Sequence, residues 1–525
     1  MTPPNSIESQ LGNARRHIAS GRLDQARRIN ATLLSEHPRH TGALIQRSRI
    51  ESISNNYRLA HAYALQAHEA GAESLRDSTN LLRRLRTFGL IKEMRETIAA
   101  LSPSALQDGE LLNLVAVLFN SINEPERALT FAERGLARDP EAIPLQLSKG
   151  QTLMYLGRFA EAEQFLLECL GKRPGLAFAW WMLSRLRKQS AGSNHVTELR
   201  LELSEATHPQ DTAFIAYALH KELDDLGDIA GAAEALTRAC KTMRGITRYS
   251  TAETQELFSQ LKALPAVDLP PPTPHSDASL TPIFIVGMHR SGTTLMEQFL
   301  DGHPDIFCAG ELYDFTSQMR YAANHPCSQE IDARIVQASE SLDFQAIGKG
   351  YLSAVEWRRG HESHITDKLP SNFLNLGFIF RAIPHAKVIH MVRDPIETCF
   401  SNLREFFSET TALYSYDQIE LADYYREYES LMAHWHERFP GRIIDVAYKD
   451  LIQDTEATLR RITAFCGLDL VLGMLDTSAR SRSVMTASVV QVRNRPALPE
   501  VPKWEPYRNY LDPLIKRLSS APSAQ

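Results

Sequence analysis

The chain has 525 residues, of which 43% are hydrophobic and 23% are charged, and its formal net charge is −6 at pH 7. This length predicts about two to four domains, and this composition is typical of a soluble globular protein. The slight acidic excess argues against nucleic-acid binding or membrane-surface binding as a general function.

The N-terminal residues lack the basic segment and the apolar core of a signal peptide. No apolar run in the chain approaches the roughly 20 residues that cross a bilayer. The six cysteines include no C-x-x-C pair, which argues against a zinc site or a disulfide framework. We therefore expect a cytoplasmic protein with no membrane span.

The first half of the chain repeats with a period of 34 residues. Five similar segments end at small or apolar residues, which are Ala26, Ala60, Met94, Ala128 and Ala162. Prolines follow three of these positions by 12 residues, where a second helix should stop; they are Pro38, Pro140 and Pro174. A period of 34 is that of the tetratricopeptide repeat, a helix–turn–helix unit.

The repeat predicts an all-α solenoid over residues 1–262, with the pattern weakening after residue 190. Each helix pair cannot bury its apolar face alone, so the pairs are expected to stack into a superhelix with a concave groove. We expect this groove to bind a protein partner. The alternative is an irregular helical bundle with chance spacing.

Five prolines between Pro265 and Pro274 exclude a helix and predict a stiff linker over residues 263–279. A second domain is predicted over residues 280–515, followed by a tail over 516–525. Apolar runs predict buried strands over 282–286, 386–392 and 442–447, and helices over about 295–302, 396–407, 417–438 and 454–466. This alternation predicts a parallel sheet covered by helices, with ligands at the carboxyl ends of the strands.

The loop of residues 287–294 (GMHRSGTT) follows the first predicted strand and precedes a helix. Such a loop forms a cradle in which backbone N–H groups and the positive end of the helix dipole attract an anion. The spacing of Gly287 and Gly292 is that of nucleotide-binding loops, but Thr293 stands where those loops carry a lysine, and the cation comes earlier, at Arg290. The loop therefore favours a phosphate-bearing donor other than the substrate of an ordinary ATPase.

Other motifs accompany this loop. They are Gly310-Glu311 after the first helix, Lys368 in TDKLP, Arg393 in RDP with Ser401 eight residues later, and Ser488 and Arg493 in SVVQVR. With the run from Arg290 to Glu311, they resemble the sulfotransferases that use 3′-phosphoadenosine 5′-phosphosulfate (PAPS). The resemblance covers about residues 280–510 and is strongest to the tyrosylprotein sulfotransferase branch and its bacterial relatives that carry tetratricopeptide repeats.

The resemblance implies a P-loop-like α/β domain that binds PAPS as a co-substrate and releases 3′-phosphoadenosine 5′-phosphate (PAP), without a metal. The residues expected to hold the 5′-phosphosulfate are Arg290, Ser291, Gly292, Thr293 and Thr294. Arg393 and Ser401 match the family's 3′-phosphate site, where a planar guanidinium can bind two oxygens at once. Further donor contacts are matched by Tyr448, Ser488 and Arg493.

The resemblance also implies a catalytic pair. Glu311 matches the catalytic base of the tyrosylprotein branch, and a positioned carboxylate can accept the hydroxyl proton during attack. Lys368 is expected to stabilise the charge that develops on the transferring group and the bridging oxygen. The reaction implied is an in-line displacement similar to phosphoryl transfer.

Several positions depart from the family's pattern. Lys368 lacks the following histidine of the Lys-x-His segment found in many cytosolic sulfotransferases, which favours Glu311 as the base but leaves His361 or His364 open. Tyr313 replaces an arginine that helps to orient the acceptor. The acceptor therefore stays open.

Two more departures concern the donor. Glu405 replaces a second arginine of the 3′-phosphate site, and the neighbouring Arg404 is expected to compensate. Arg493 lies one position before the family's cation. Its match to the donor site is therefore looser than that of Arg393.

Two other functions are alternatives: a P-loop kinase or nucleoside-triphosphatase, and a non-catalytic repeat scaffold with a degenerate sulfotransferase domain. The absence of a lysine after Gly292 counts against the first, and the presence of both Glu311 and Lys368 counts against the second. The acceptor hydroxyl is left open between a protein or peptide, including tyrosine, a carbohydrate, a lipid and a small molecule. A homodimer is also left open.

Overall fold

The computed structural model describes residues 6–269, 280–407, 411–475 and 498–520. The chain forms two compact units. One comprises Met1–Ser148, Tyr313–Ser328 and Gln337–Asp343, and the other comprises Lys149–Leu312, Gln329–Val336 and Phe344–Gln525. The second unit contains the sheet and the described residues that the sequence predicts for the site.

The regular elements of the N-terminal half are helices. They are α1 Ile7–Ala19, α2 Leu23–Glu36, α3 Thr41–Ile53, α4 Tyr57–Ala70, α5 Leu75–Thr87, α6 Ile91–Ala99, α7 Gly109–Asn120, α8 Pro125–Leu136, α9 Ile143–Tyr155, α10 Phe159–Lys172, α11 Ala177–Arg185, α12 Val196–Glu205, α13 Pro209–Leu226, α14 Ile229–Ile246 and α15 Thr251–Lys262. Of the helices in the four described ranges, none has the length and apolar character that a membrane span requires.

The turns between paired helices share one backbone feature, a residue with φ between 59° and 73° two positions before the second helix. These residues are Gly21, Asn55, Gly89, Asn123 and Gly157. Glycine and asparagine enter this left-handed region most readily, so the 34-residue period is also a period of turn chemistry. The five repeat-defining residues from Ala26 to Ala162 are each the fourth residue of the following helix and are completely buried. The predicted helical repeat is confirmed.

The C-terminal half contains a sheet of five strands: β1 Thr281–Val286, β2 Ile306–Cys308, β3 His364–Asp367, β4 Lys387–Val392 and β5 Ile443–Ala447. All pairings are parallel, and the order across the sheet is β2-β3-β1-β4-β5. The accompanying helices are α16 Thr293–Leu300, α17 Asp314–Ala323, α18 Ala333–Ala338, α19 Phe344–Glu356, α20 Leu376–Ala382, α21 Pro395–Leu403, α22 Gln418–Arg438, α23 Tyr448–Gln453, α24 Thr455–Cys466 and α25 Asp512–Ser519.

Apolar side chains cover both faces of this sheet. One face packs on α16, α23 and α24 through a cluster that includes Ile283, Ile285, Met296, Leu451 and Leu459. The other face packs on α19 and α22, where Phe284 contacts Tyr351 and His390 contacts Tyr428, each with ring centroids 5.6 Å apart. Every residue of β1 is buried, as expected for a central strand of a parallel sheet with helices on both sides.

The predicted fold class, a helical repeat region followed by a parallel α/β domain, is confirmed. The three strands predicted from apolar runs are β1, β4 and β5, each within one residue of its expected start. The sequence did not single out β2 and β3 because strands of 3 and 4 residues give no distinct apolar run.

The predicted domain limits stay predictions. The compact units divide the chain after Ser148 and not at residue 262, since later repeat helices contact the sheet-bearing half. One such contact joins Asp224 of α13 to the hydroxyl of Tyr507 at 2.6 Å. The predicted tail from residue 516 begins inside α25. Residues 270–279 of the predicted linker lie outside the described residues.

Candidate active site

The loop between β1 and α16 contains three residues with positive φ: Gly287 at 149°, Arg290 at 70° and Gly292 at 108°. A Cβ atom on Gly292 would lie 2.5 Å from Cδ2 of Tyr448, and one on Gly287 would lie 2.7 Å from the carbonyl oxygen of Met391. Real Cβ atoms do not approach other atoms this closely. Both glycines are therefore required by the close packing of the loop on the ends of β4 and β5.

The N-terminus of α16 presents buried hydroxyl groups. Ser291, Thr293 and Thr294 are 1%, 4% and 7% exposed. Among the described residues, the Oγ of Ser291 has no hydrogen-bond partner. A buried hydroxyl without a partner costs free energy, and the free N–H groups of a helix N-terminus bind anions. The loop therefore fits an oxyanion that accepts these hydrogen bonds.

Arg290 lies between a hydroxyl and a carboxylate. Its Nε donates to the Oγ of Ser401 at 3.2 Å, and its Nη1 lies 3.8 Å from Oε2 of Glu405. Burial lowers the pKa of Arg290 to about 10; Glu405 opposes this shift and the Arg185 guanidinium adds to it. Arg290 therefore stays cationic at neutral pH. The structure brings Arg290 and Ser401, which the sequence assigns to different phosphates, into direct contact.

Arg393 follows β4 and lies beside the same loop. Its Nη1 donates to the carbonyl oxygen of Arg290 at 3.1 Å, and its Nη2 pairs with Oε2 of Glu397 at 2.5 Å. The guanidinium carbon lies 4.8 Å from the ring centroid of Tyr448, within the range of a cation–π contact. Since the Tyr448 ring also packs on Gly292, this ring links Arg393 to the loop.

Lys503 is a further cation near Arg393, and the sequence analysis missed it. Its backbone N–H donates to Oε1 of Glu397 at 3.0 Å. Lys503 is an exposed residue, but partial desolvation lowers its pKa, and repulsion from Arg404 and Arg393 acts in the same direction. The sequence offers one signal for Lys503, its place ten residues after the SVVQVR segment that resembles a donor-binding stretch.

Glu405, one of the donor-side departures from the family's pattern, and its neighbour Arg404 are both paired with repeat helices. Glu405 is 4% exposed and accepts hydrogen bonds from both terminal nitrogens of Arg185 on α11, one of them at 3.2 Å. Nη2 of Arg404 pairs with Oδ2 of Asp224 on α13 at 3.4 Å. Arg404 is expected to compensate for the arginine that Glu405 replaces, and this role stays a prediction. The Arg404 guanidinium already has a carboxylate partner in Asp224.

Glu311 and Lys368 follow the neighbouring strands β2 and β3 and form an ion pair, with Nζ of the lysine 2.6 Å from Oε1 of the glutamate. The Lys368 side chain is completely buried, whereas the Glu311 side chain is 32% exposed. The backbone N–H of Lys368 donates to the carbonyl oxygen of Gly310 at 2.9 Å. An ammonium is thus fixed at the strand ends, beside a carboxylate that solvent can reach.

Glu297 of α16 positions the turn before Glu311. Its Oε1 accepts from the N–H of Gly310 at 2.9 Å and from the hydroxyl of Thr366 at 2.6 Å. The Thr366 hydroxyl oxygen also accepts from the N–H of Ala309 at 3.1 Å. These bonds tie the end of β2 to the end of β3. The sequence signal for Glu297, which was missed, is a single acidic residue in an otherwise uncharged short helix.

The two histidines left open as alternative bases lie elsewhere. His364 begins β3, whereas Lys368 follows its end, about 13 Å away for a rise of roughly 3.3 Å per residue. Its ring nitrogens bond with Ser363 Oγ at 2.9 Å and with the carbonyl oxygen of Cys466 at 3.2 Å, and burial lowers its pKa. His361 precedes the strand and is exposed. Neither histidine lies at the strand end that carries Lys368.

Each of the five strands leads at its carboxyl end to a residue or loop predicted for the site. In chain order these are the Arg290 loop after β1, Glu311 after β2, Lys368 after β3, Arg393 after β4 and Tyr448 after β5. The strand order therefore places the two catalytic candidates on one side of the loop and the donor candidates on the other. Ser488 and Arg493 lie outside the described residues, so their contacts stay predictions.

A separate group of His390, His436 and Asp445 has ligand atoms within 4.8 Å of one another. Both rings donate to Oδ1 of Asp445, at 2.8 Å from His390 and 2.7 Å from His436. The hydrogen bond to Asp445 raises the pKa of His436, against the effect of burial. Because hydrogen bonds account for this arrangement, no part in the reaction is assigned to it.

Comparison with known proteins identifies relatives of the C-terminal half. Residues 282–471 match the family model described as Sulfotransferase family. An uncharacterized protein of Aquifex aeolicus is 28% identical over 405 residues, which cover 72% of this chain and 51% of that protein. Protein-tyrosine sulfotransferase 1 of Mus musculus is 34% identical over 126 residues, which cover 23% of this chain and 33% of that enzyme. The chain thus spans about half or less of the length of these relatives.

Among solved structures, the sulfotransferase domain of the Synechococcus PCC 7002 olefin synthase is 17% identical with a TM-score of 0.29, over 47% of this chain and 98% of that domain. At this TM-score the structural likeness is too weak to identify a family. Residues 282–471 are therefore similar to the sulfotransferase family, and protein-tyrosine sulfotransferases are among the proteins that this chain resembles in sequence.

Proposed function

We propose that this protein is a PAPS-dependent sulfotransferase that moves a sulfuryl group to an acceptor hydroxyl. One observation carries the proposal: an oxyanion loop and a Lys368–Glu311 ion pair follow adjacent strands at the same edge of one sheet. Ligands of open parallel sheets bind at this edge. An anionic donor in the loop would therefore lie next to a cation and a base.

The donor side is proposed to bind a ligand with two anionic groups. The hydroxyl of Ser291 and the N–H groups at the start of α16 would bind the 5′-phosphosulfate. Arg393 and Ser401 are proposed for the 3′-phosphate, and Lys503 adds a cation beside Arg393. Charge-assisted hydrogen bonds of this kind are about twice as strong as neutral ones.

When bound, PAPS supplies an activated sulfuryl group and a phosphate leaving group. Oε2 of Glu311 would accept the proton of the acceptor hydroxyl as that oxygen forms its bond to sulfur, since Oε1 already accepts from Lys368. The Lys368 ammonium would donate to the oxygen between sulfur and phosphorus, where negative charge develops as that bond breaks. PAP and the sulfated acceptor leave, and Glu311 returns its proton to water.

The acceptor is proposed only as a hydroxyl compound. The likeness to protein-tyrosine sulfotransferases makes a peptide tyrosine the first class to test. Tyr313 stands at the position of an arginine expected to orient the acceptor, so carbohydrate, lipid and small-molecule hydroxyls are tested beside it. The helical repeats are proposed to recruit the acceptor or a protein partner in their groove.

The test uses the full chain with ³⁵S-labelled PAPS, a tyrosine peptide library and fractionated extract, followed by mass identification of labelled products. Transfer that is lost in Glu311→Gln would support the proposal. Calorimetry with adenosine 3′,5′-bisphosphate and with ATP separates the alternatives. Binding of ATP without the bisphosphate would favour a kinase or nucleoside-triphosphatase, and bisphosphate binding with no transfer to any acceptor would favour a scaffold.

A further inference from the structure

A buried ionic chain connects a repeat helix to the oxyanion loop. Arg185, the last residue of α11, binds both carboxylate oxygens of Glu405, and Oε2 of that carboxylate lies 3.8 Å from Nη1 of Arg290. The side chains of Arg185, Glu405 and Arg290 are only 14%, 5% and 6% exposed. Solvent therefore screens these charges weakly.

Aromatic packing fixes the position of Arg185 and Glu405. The Arg185 guanidinium lies 4.5 Å from the ring of Trp181, one turn earlier on α11. Phe406, which follows Glu405, lies with its ring centroid 4.3 Å from that of Phe214 on α13 and 5.9 Å from that of Trp181. The carboxylate is thus held between the two guanidiniums by its neighbour as well as by its own bonds.

The Glu405 carboxylate contacts the two arginines unequally. Glu405 makes two hydrogen bonds to Arg185, whereas its contact with Arg290 is beyond hydrogen-bond distance. Without Arg185, Arg290 would be the nearest cation to a buried negative charge, and an unpaired buried charge is strongly unfavourable. Arg290 would then bind Glu405 more tightly and would bind a phosphate oxygen less tightly.

We propose that Arg185 of the repeat region is a positioning residue for the donor site: it neutralises Glu405 and so weakens the attraction of Glu405 for Arg290, which can then bind an oxyanion of the nucleotide. This inference rests on the proposed function. The repeat region then has a second task besides recruitment, because Arg185 of α11 balances the negative charge of Glu405 in the site proposed to bind an adenosine bisphosphate. Donor affinity becomes a property of the repeats and the sheet together.

The test is calorimetric titration of the full chain with adenosine 3′,5′-bisphosphate. Arg185→Gln should weaken binding roughly tenfold or more, as expected when one partner of a buried charge pair is removed. Glu405→Gln should bind at least as tightly as the wild type, because it removes the competing negative charge. The double variant should recover most of the affinity lost in Arg185→Gln, which is a coupling that two independent packing defects would not show.

Arg187→Gln is the matched control, since Arg187 lies two residues further along and pairs with the partly exposed Glu163 at 2.7 Å. It should bind the bisphosphate as the wild type does. Thermal melting of each variant reports folding, and Arg185→Lys, which keeps the charge, supplies a second measurement if Arg185→Gln does not fold. Arg185→Lys should retain affinity within about threefold, since one ammonium can replace one of the two hydrogen bonds.

Wild-type affinity in a folded Arg185→Gln protein would overturn the inference while leaving the proposed function intact. A double variant as weak as Arg185→Gln, or an Arg185→Lys protein that folds but loses more than tenfold in affinity, would also overturn it, because packing and not charge would then be the cause. A wild-type protein that does not bind the bisphosphate at all would overturn the proposed function, and this inference with it.

Discussion

The two sides of the candidate site differ in how firmly their side chains are held. On the donor side, after β1, β4 and β5, Arg393 contacts both Arg290 and Tyr448, and all three residues are half-buried. On the catalytic side, after β2 and β3, Glu311 and Lys368 form a single ion pair, and the glutamate side chain is 32% exposed. The donor side is therefore built as a network, and the catalytic side as a pair that opens to solvent.

This difference fits what each side is proposed to do. A donor of fixed structure is best bound by groups whose geometry is fixed before binding, because little ordering is then required. A carboxylate that removes a proton needs access to the acceptor, so it is proposed to stay partly exposed. If the two sides act independently, a variant on one side should leave the function of the other side unchanged.

The largest effect is expected for Glu311→Gln on the catalytic side. Loss of a general base should lower the turnover number roughly 10²- to 10⁴-fold, because the amide cannot accept the hydroxyl proton. The dissociation constant of adenosine 3′,5′-bisphosphate should change little. Labelled-sulfate transfer gives the first quantity and calorimetry the second.

Glu456→Gln is the control for this variant, since Glu456 is an exposed residue of α24 paired with Arg460 at 2.8 Å. It should leave both quantities unchanged. An unaffected turnover number in Glu311→Gln would remove Glu311 from the catalytic role. A parallel loss of donor affinity would show that the two sides are coupled.

The next effect is expected for Arg393→Ala on the donor side. A hydrogen bond between charged groups contributes about 1.5–3 kcal/mol, so affinity for the bisphosphate should fall roughly tenfold to 150-fold. Adenosine 5′-phosphosulfate, which lacks the 3′-phosphate, should lose far less affinity. Calorimetry with both ligands measures the difference, and Arg460→Ala, at an arginine that is 66% exposed, is the control.

Equal losses for the two ligands in Arg393→Ala would mean that this guanidinium does not bind the 3′-phosphate. Its contact with the carbonyl oxygen of Arg290 would then suggest a role in holding the loop. In that case the donor side would still be a network, but Arg393 would support it from outside the ligand.

A smaller effect is expected for Gly292→Ala, which tests the backbone of the donor side. A non-glycine residue at φ 108° costs on the order of 1–3 kcal/mol, and the new Cβ would lie 2.5 Å from the Tyr448 ring. The thermal midpoint of the second unit should therefore fall. Gly171→Ala is the control because Gly171 lies in helix α10 with open space around it. The thermal midpoint of this variant should stay the same or rise slightly, because alanine favours a helix more than glycine does.

An unchanged midpoint in Gly292→Ala would show that the loop can move away from Tyr448 at little cost. The donor side would then be less rigid than its contacts indicate. Bisphosphate binding by the same variant separates the two explanations, since a displaced loop would bind it more weakly even if the fold were unaffected.

The parts of this protein that sequence predicts are those encoded locally. The 34-residue repeat is visible because each turn needs Gly or Asn and each second helix needs a small or apolar residue at one position. The strands β1, β4 and β5 are visible as apolar runs, and the oxyanion loop as a glycine spacing. The strand-end placement of Glu311 and Lys368 came from a resemblance, since β2 and β3 carry too few residues to be predicted.

The parts that sequence did not predict depend on residues that are distant along the chain. Arg185 and Glu405 are 220 positions apart, and Lys503 and Glu397 are 106 apart. No periodicity or motif relates such positions, because their contact is created by tertiary packing. The pairing of Glu405 with a repeat helix therefore required the structure.

The smallest effect concerns pH and compares His289 of the donor-side loop with His220 of α13. Burial lowers the pKa of each to about 4, from an ordinary value near 6.5. Between these values the unfolded chain binds a proton that the folded chain does not. The contribution of each neutral histidine to the free energy of unfolding is therefore fully present above pH 6.5 and is lost as the pH falls towards 4. The thermal midpoint should therefore fall as the pH is lowered from 7.5 to 5.

His289→Asn should reduce the loss of stability at low pH, by on the order of 1 kcal/mol at pH 5.5, because the variant lacks one of the buried histidines whose pKa is lowered by folding. His220→Asn should reduce it similarly, and adding the bisphosphate should raise the midpoint of both variants, since neither histidine is proposed to touch the donor. Melting curves at pH 7.5, 6.5, 5.5 and 5.0 measure the slopes. A slope in His289→Asn as steep as that of the wild type would mean that His289 is hydrated or mobile, and the donor-side network would then be looser at its N-terminal end than at Arg393.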